Sequence, residues 1–146
     1  MSGYLTFRMG ARELAAPLTQ VREVVRAAGV EHMVGVRAPV TGLLQLRGEP
    51  LPVVDLRTLH DDDELGDVIV LVPDTEGALG LAVDRVIEVV DPEVLRVADG
   101  PLPVGLPAYV REVLRTADGL RPIFLVDLRV LAGVASSSPP PRGAHR

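Results

Sequence analysis

The chain has 146 residues, carries a net charge of −5 and contains no cysteine, lysine or asparagine. Without cysteine or lysine there are no disulfides, thiolate nucleophiles or thiolate metal sites, and no Schiff-base or phosphate-loop lysine. An acidic balance with two tyrosines, two phenylalanines and no tryptophan also lacks the basic face and stacking aromatics that nucleic acid requires.

Valine and leucine dominate short apolar runs broken by Gly, Pro and Asp, a pattern that predicts a mainly β protein. Tyr4 to Met9 alternates, Gly10-Ala11-Arg12 turns, and Glu13 to Leu18 returns as the second strand of a hairpin, with Pro17 at its end or edge. After Thr19, a potential cap, Val21, Val24 and Val25 fall at helical spacing, so a short helix or a turn-strand is expected there. Gly42 to Val54 predicts a hairpin that reverses at Arg47-Gly48-Glu49, with Gly48 supplying a positive φ and Arg47 lifted to the tip. A third hairpin joins 68–72 to 78–83 through Pro73 to Gly77. Val86 to Val90 reads as a strand ended by Asp91-Pro92, which caps and starts a short turn before Val94-Leu95-Arg96-Val97, and Gly100 to Pro107 reads as a loop. A fourth hairpin, Val110–Thr116 with Leu120–Val126, centres on Asp118-Gly119 as a tight turn.

Two segments echo each other, Val53-Val54-Asp55-Leu56-Arg57 and Leu125-Val126-Asp127-Leu128-Arg129. In each, an apolar strand ends at an aspartate able to cap a following helical turn, which suggests two related β units. Residues 1–135 are expected to form one domain, long enough to bury about 70% of the surface its unfolded chain exposes. Residues 136–146, Ser-Ser-Ser-Pro-Pro-Pro-Arg-Gly-Ala-His-Arg, have no periodicity and read as a disordered tail.

Catalytic chemistry finds few candidates. Serine occurs only at Ser2 and in the tail, and His32, His60 and His145 have no partners in a triad pattern. The run His60-Asp61-Asp62-Asp63-Glu64 has the donor types of a metal site but not the spacing of a calcium loop, and reads as a solvated surface loop. Gly77 and Gly80 do not form a phosphate fingerprint and read as turn residues, and Asp84 reads as a strand-end cap rather than a general base. Neither enzyme, metal nor cofactor is expected. No apolar run reaches membrane-spanning length and Met1-Ser2-Gly3 leads directly into the first strand, so the expected location is the cytoplasm, without membrane insertion. Arg47 at its turn, and Glu23 in Val21-Arg22-Glu23-Val24, are charges set in apolar surroundings and favour docking.

Four motifs in order resemble the CheW-like domain family of bacterial chemosensory adaptors, over Tyr4 to Ala132: Val21-Arg22-Glu23-Val24, then Gly42-Leu43-Leu44-Gln45-Leu46-Arg47-Gly48 through Pro52-Val53-Val54-Asp55-Leu56-Arg57, then Gly80-Leu81-Ala82-Val83-Asp84-Arg85-Val86, then Tyr109 with Val126-Asp127 to Leu131. The resemblance implies two five-stranded, SH3-like β-barrel subdomains on a shared core, with one to three short helices and no catalytic activity. It implies two partners, a chemoreceptor cytoplasmic tip and the regulatory domain of a chemotaxis-type histidine kinase, and recruitment to membrane-associated receptor arrays. By motif position the docking residues are Arg47 and Glu23, with Leu46 and Gly48 beside the arginine and Leu18, Val21, Gly42 and Gly80 in or near the same surface. Gln45 replaces the family's asparagine and Glu112 stands where glycine is frequent, departures that bear on partner choice. The alternatives are a divergent adaptor for a motility or developmental kinase, and a small β-barrel enzyme or ligand binder.

Overall fold

The computed structural model describes residues 3–27, 40, 42–57, 66–71, 77–98, 100, 102–119 and 121–137. Eleven strands lie among them: β1 Tyr4–Met9, β2 Arg12–Pro17, β3 Glu23–Ala27, β4 Gly42–Leu46, β5 Glu49–Asp55, β6 Gly66–Leu71, β7 Leu79–Val83, β8 Arg85–Val90, β9 Leu95–Val97, β10 Val110–Thr116 and β11 Pro122–Val126. One helix follows, α1 Leu128–Ser137, and two 3₁₀ turns cover Leu18–Gln20 and Pro92–Val94. The helix runs two residues past the expected domain end at 135, and the acidic run from His60 lies outside the described residues.

The strands form a first sheet ordered β8-β1-β2-β11-β10-β9 and a second ordered β3-β6-β7-β5-β4. Their pairing repeats. A central hairpin (β1-β2, β6-β7) takes an antiparallel strand on one side (β8, β3), and on the other a parallel strand (β11, β5) that carries its own hairpin partner (β10, β4). The echoed aspartates therefore stand at the ends of equivalent strands, Asp55 as the last residue of β5 and Asp127 directly after β11. Asp55 Oδ1 accepts from the Arg57 amide at 3.0 Å, and Asp127 Oδ1 accepts from the amides of Arg129 at 2.9 Å and Val130 at 3.3 Å. The first sheet departs from the five-strand unit by one addition, the three-residue β9 on β10.

Alternation along the strands divides the interior into three. Phe7, Leu14, Ile69, Leu71, Leu81, Val83, Val126 and Leu128 meet between the sheets in a shared core. The opposite faces of the same strands make two smaller cores, Leu51, Val53, Val68, Val70 and Ala82 in the second sheet and Ala15, Leu114 and Ile123 in the first. Strands buried on both faces must be continuously apolar, which is why Val68 to Leu71 shows no polar alternation. Val25 of β3 and Leu44 and Leu46 of β4 pack on one cluster although these strands are the two edges of the second sheet. The sheet is curled until its edges face the same interior.

Of the two forms expected after Thr19, a short helix or a turn-strand, the chain takes the second: Thr19 sits inside the 3₁₀ turn, which has Pro17 and not Thr19 at its N-cap position, and β3 begins at Glu23. Valine suits a strand when a partner is present, and β6 supplies it from residues 66–70. Asp118-Gly119 is not a two-residue turn: the last paired residues are Arg115 and Pro122, Thr116 N–H reaches the Arg121 carbonyl at 3.3 Å, and of the two turn residues only Gly119 has a positive φ, 73°. Asp91 makes no side-chain cap, although Pro92 opens the short turn as expected. Gly80 is not a turn residue but the buried second position of β7.

Candidate docking site at the seam of the second sheet

The hairpin β4–β5 reverses in two residues, Leu46 pairing with Glu49. A two-residue reversal that matches strand twist in the type I′ form has positive φ at both central positions. Gly48 has φ 85° and Arg47 has φ 50°, the one non-glycine residue with positive φ among the described residues. Sequence reasoning assigned that conformation to Gly48 alone. A side chain in the left-handed region carries a conformational penalty that glycine avoids, and such positions concentrate where function holds them.

Arg47 uses its place at the tip to cross the seam. Its Nη2 donates to Glu23 Oε2 at 2.5 Å, joining the β4–β5 turn to β3, the opposite edge of the sheet. The Arg47 side chain remains 64% exposed and that of Glu23 26%, so the pair is reachable from solvent. The hydrogen bond from Arg47 holds the Glu23 carboxyl below the usual carboxylate range, and the same bond raises Arg47 further. Because the glutamate value is lowered in the fold, the pair is complete at neutral pH and is lost only as pH falls through that lowered value.

Beside the pair is an open groove of about 510 Å³ lined by Arg22, Arg47 and Glu49 together with Leu46, Pro50, Leu51, Pro52 and Ala78. Its origin lies in β5. Next to a two-residue turn the first pair is the hydrogen-bonded one, so positions 50 and 52 direct their nitrogens away from β4. Both are proline, with no N–H to donate, and β7 pairs with β5 only over Val53–Asp55. The first half of β5 is thus left open on that side. Apolar side chains bordered by two arginines and one glutamate suit a protein surface carrying apolar and charged groups.

The remaining expected site residues divide. Gly48 is exposed at the turn and Leu46 lines the groove while packing on the second sheet's own core. Leu18 and Val21 are half-buried against the shared core and do not line the groove. Gly42 and Gly80 are buried. A Cβ on Gly80 would lie 2.8 Å from Val68 Cγ1, 3.1 Å from Leu51 Cδ2 and 3.2 Å from Val53 Cγ2, so this glycine makes room for the core. Arg22, Pro50, Pro52 and Ala78 were missed. The two prolines in an otherwise strand-like run were the available signal. Gln45 is exposed on β4 next to Leu46, and Glu112 is half-buried where β10 bulges between Val110 and Glu112.

Other charges serve the fold. Asp84 Oδ2 accepts from the Gly10 amide at 2.6 Å, in line with a cap, and Asp67 Oδ2 accepts from the Val86 amide at 2.8 Å. Arg57 Nη2 donates to Asp55 Oδ2 at 2.6 Å, an interaction that raises the arginine. Among the described residues no three His, Asp or Glu side chains gather as a metal site, and no helix is long and apolar enough to cross a membrane.

The turn chemistry makes one expectation direct. Arg47→Gly removes an exposed ion pair of small worth and also the left-handed penalty. Its melting temperature should equal or exceed that of the original chain in calorimetry, while Arg47→Val, β-branched at positive φ, should melt lower.

A family model for the CheW-like domain matches residues 3–135. No curated protein sequence matches the chain. Among solved structures, the scaffolding protein TtCheW from Thermoanaerobacter tengcongensis is similar at 22% identity and a TM-score of 0.66, over 89% of this chain and 91% of that one. At that identity the likeness speaks for the fold, and it agrees with two β subdomains on a shared core.

Proposed function

The chain belongs to the CheW-like domain family, and from that membership we propose that it is a non-enzymatic adaptor of chemosensory signalling. In this reading it couples a chemoreceptor cytoplasmic tip to the regulatory domain of a chemotaxis-type histidine kinase, in the cytoplasm at membrane-associated receptor arrays. Its chemistry is binding alone. The observation that carries the reading is the Arg47–Glu23 pair, which lies across the seam, exposed, with the arginine held in a conformation that folding alone does not favour. The groove beside it offers apolar contact bordered by Arg22, Arg47 and Glu49, the mixture of apolar and charged groups that docking surfaces use.

Bridging is the property to test. Receptor tip fragments displayed on vesicles should sediment with the kinase when this protein is present and not when it is omitted. Kinase left in the supernatant in both cases would contradict the coupling role. Sedimentation with a motility or developmental kinase, but not with a chemotaxis-type kinase, would move the protein to the divergent branch of the family.

A further inference from the structure

Glu23 meets Arg47 only if β3 starts at the right place, and β3 is an edge strand reached from the other sheet. The chain leaves β2 at Pro17, makes the 3₁₀ turn Leu18–Gln20 and enters β3 at Glu23. Within that short crossing the Leu18 amide donates to the Gly3 carbonyl at 3.1 Å, the Val21 amide to the Leu18 carbonyl at 3.0 Å and the Arg22 amide to the Val70 carbonyl at 2.8 Å. These backbone bonds fix the two ends of the crossing, and none is made by Thr19 or Gln20. The tie to the β11–α1 junction comes from a side chain. Gln20 Nε2 donates to Asp127 Oδ1 at 3.0 Å, and Gln20 Oε1 accepts from the Leu128 amide at 2.8 Å.

The point to which Gln20 is tied is itself fixed. The Asp127 amide donates to the Tyr109 carbonyl at 3.0 Å, and the Asp127 carboxylate also accepts from Arg129 and Val130 amides and from Arg111 Nη2 at 3.4 Å. Leu128 and Leu131, which follow, are buried in the shared core. Both polar atoms of the Gln20 amide are thus used on the β11–α1 junction, three residues before Glu23. We propose that Gln20, clamped on Asp127 and Leu128, is a positioning residue that sets the start of β3 and so holds Glu23 against Arg47. Its consequence for binding rests on the docking reading of that pair.

The chemistry calls for glutamine. One planar group must donate to a carboxylate and accept from an amide at once. Glutamate at this position would bring a second carboxylate to Asp127 and lose the donor, and methionine would keep the length while losing both bonds. The charges around Glu23 are Arg47 and Arg22.

The test reads Glu23 in the free protein. Its side-chain carboxyl is followed by NMR through an acid titration in the original chain, in Gln20→Met and Gln20→Glu, and in Arg121→Met, which removes the ion pair with Glu13 in the first sheet. Glu23 should titrate below the usual carboxylate range in the original chain and in Arg121→Met, and shift up towards it in both Gln20 variants. Gln20→Met removes both arms of the clamp without adding charge, while Gln20→Glu keeps the acceptor and sets a carboxylate against Asp127, so either variant that folds decides the question. Variants that melt at a lower temperature but leave the Glu23 titration unmoved would overturn the proposal and make Gln20 merely structural. Failure of the original chain to bind kinase or receptor would instead strike the docking reading, with the Glu23 shift intact.

Discussion

Arg47→Glu should weaken binding to the kinase regulatory domain by at least about 30-fold in calorimetric titration, the loss typical of a central interface residue, while the melting temperature stays close to that of the original chain. The reversal presents a carboxylate to the partner and places it beside Glu23, turning attraction across the seam into repulsion between exposed charges. Because both groups reach water, the fold tolerates this. The double reversal Arg47→Glu with Glu23→Arg separates two roles. It restores a pair across the seam, so if the pair only braces the barrel, binding returns. If the arginine itself meets the partner, binding stays lost, which is the expected result. A large fall in melting temperature for Arg47→Glu alone would recast the arginine as structural.

Gly80→Ala should act in the opposite way, lowering stability by about 1–3 kcal/mol and the melting temperature by roughly 2–12 °C at about 2–4 °C per kcal/mol, with the folded protein still binding normally. An alanine in an unstrained strand position would ordinarily stabilise by about 0.4–1 kcal/mol through the unfolded chain. Here the new methyl meets Val68 Cγ1 at 2.8 Å, on a buried β-branched side chain with little freedom to turn. Chemical denaturation measures the loss. Val68→Ala in the same chain should absorb part of it, a non-additivity that marks the two residues as sharing one space. Neutral stability with lost binding would instead return Gly80 to the docking surface.

Much of the architecture was legible because its signals are local. Alternation in β1, the Arg-Gly reversal and Asp91-Pro92 each announce themselves within a few residues. The echo of Asp55 and Asp127 was also visible, and the matching order of strands in the two sheets gives it a physical basis. What could not be read depends on partners distant in the chain. β3 carries valines that fit a helix or a strand, and only β6 decides between them. Gly80 looked like punctuation because the Leu51, Val53 and Val68 side chains that claim its space come from two other strands. The groove is made by two prolines of β5 and by Gly77-Ala78 ahead of β7, a neighbourhood that pairing alone creates. The closeness of Arg47 and Glu23 came from the family resemblance and not from spacing, since the curl that brings opposite edges of a sheet together leaves no mark in either strand. Gln20 carried no signal at all, being an ordinary polar residue until α1 folds beside it.

The central claim is that partners dock on the seam of the second sheet. The most direct measurement is an amide NMR titration of the isotopically labelled protein with unlabelled kinase regulatory domain and, separately, with receptor tip. With at least one of them, the largest shifts should fall on Arg22, Glu23, Arg47, Gly48, Glu49 and Ala78. Shifts confined to the exposed apolar residues of the first sheet and its following loop, Val97, Leu102 and Val104, with the seam unmoved by either partner, would contradict it.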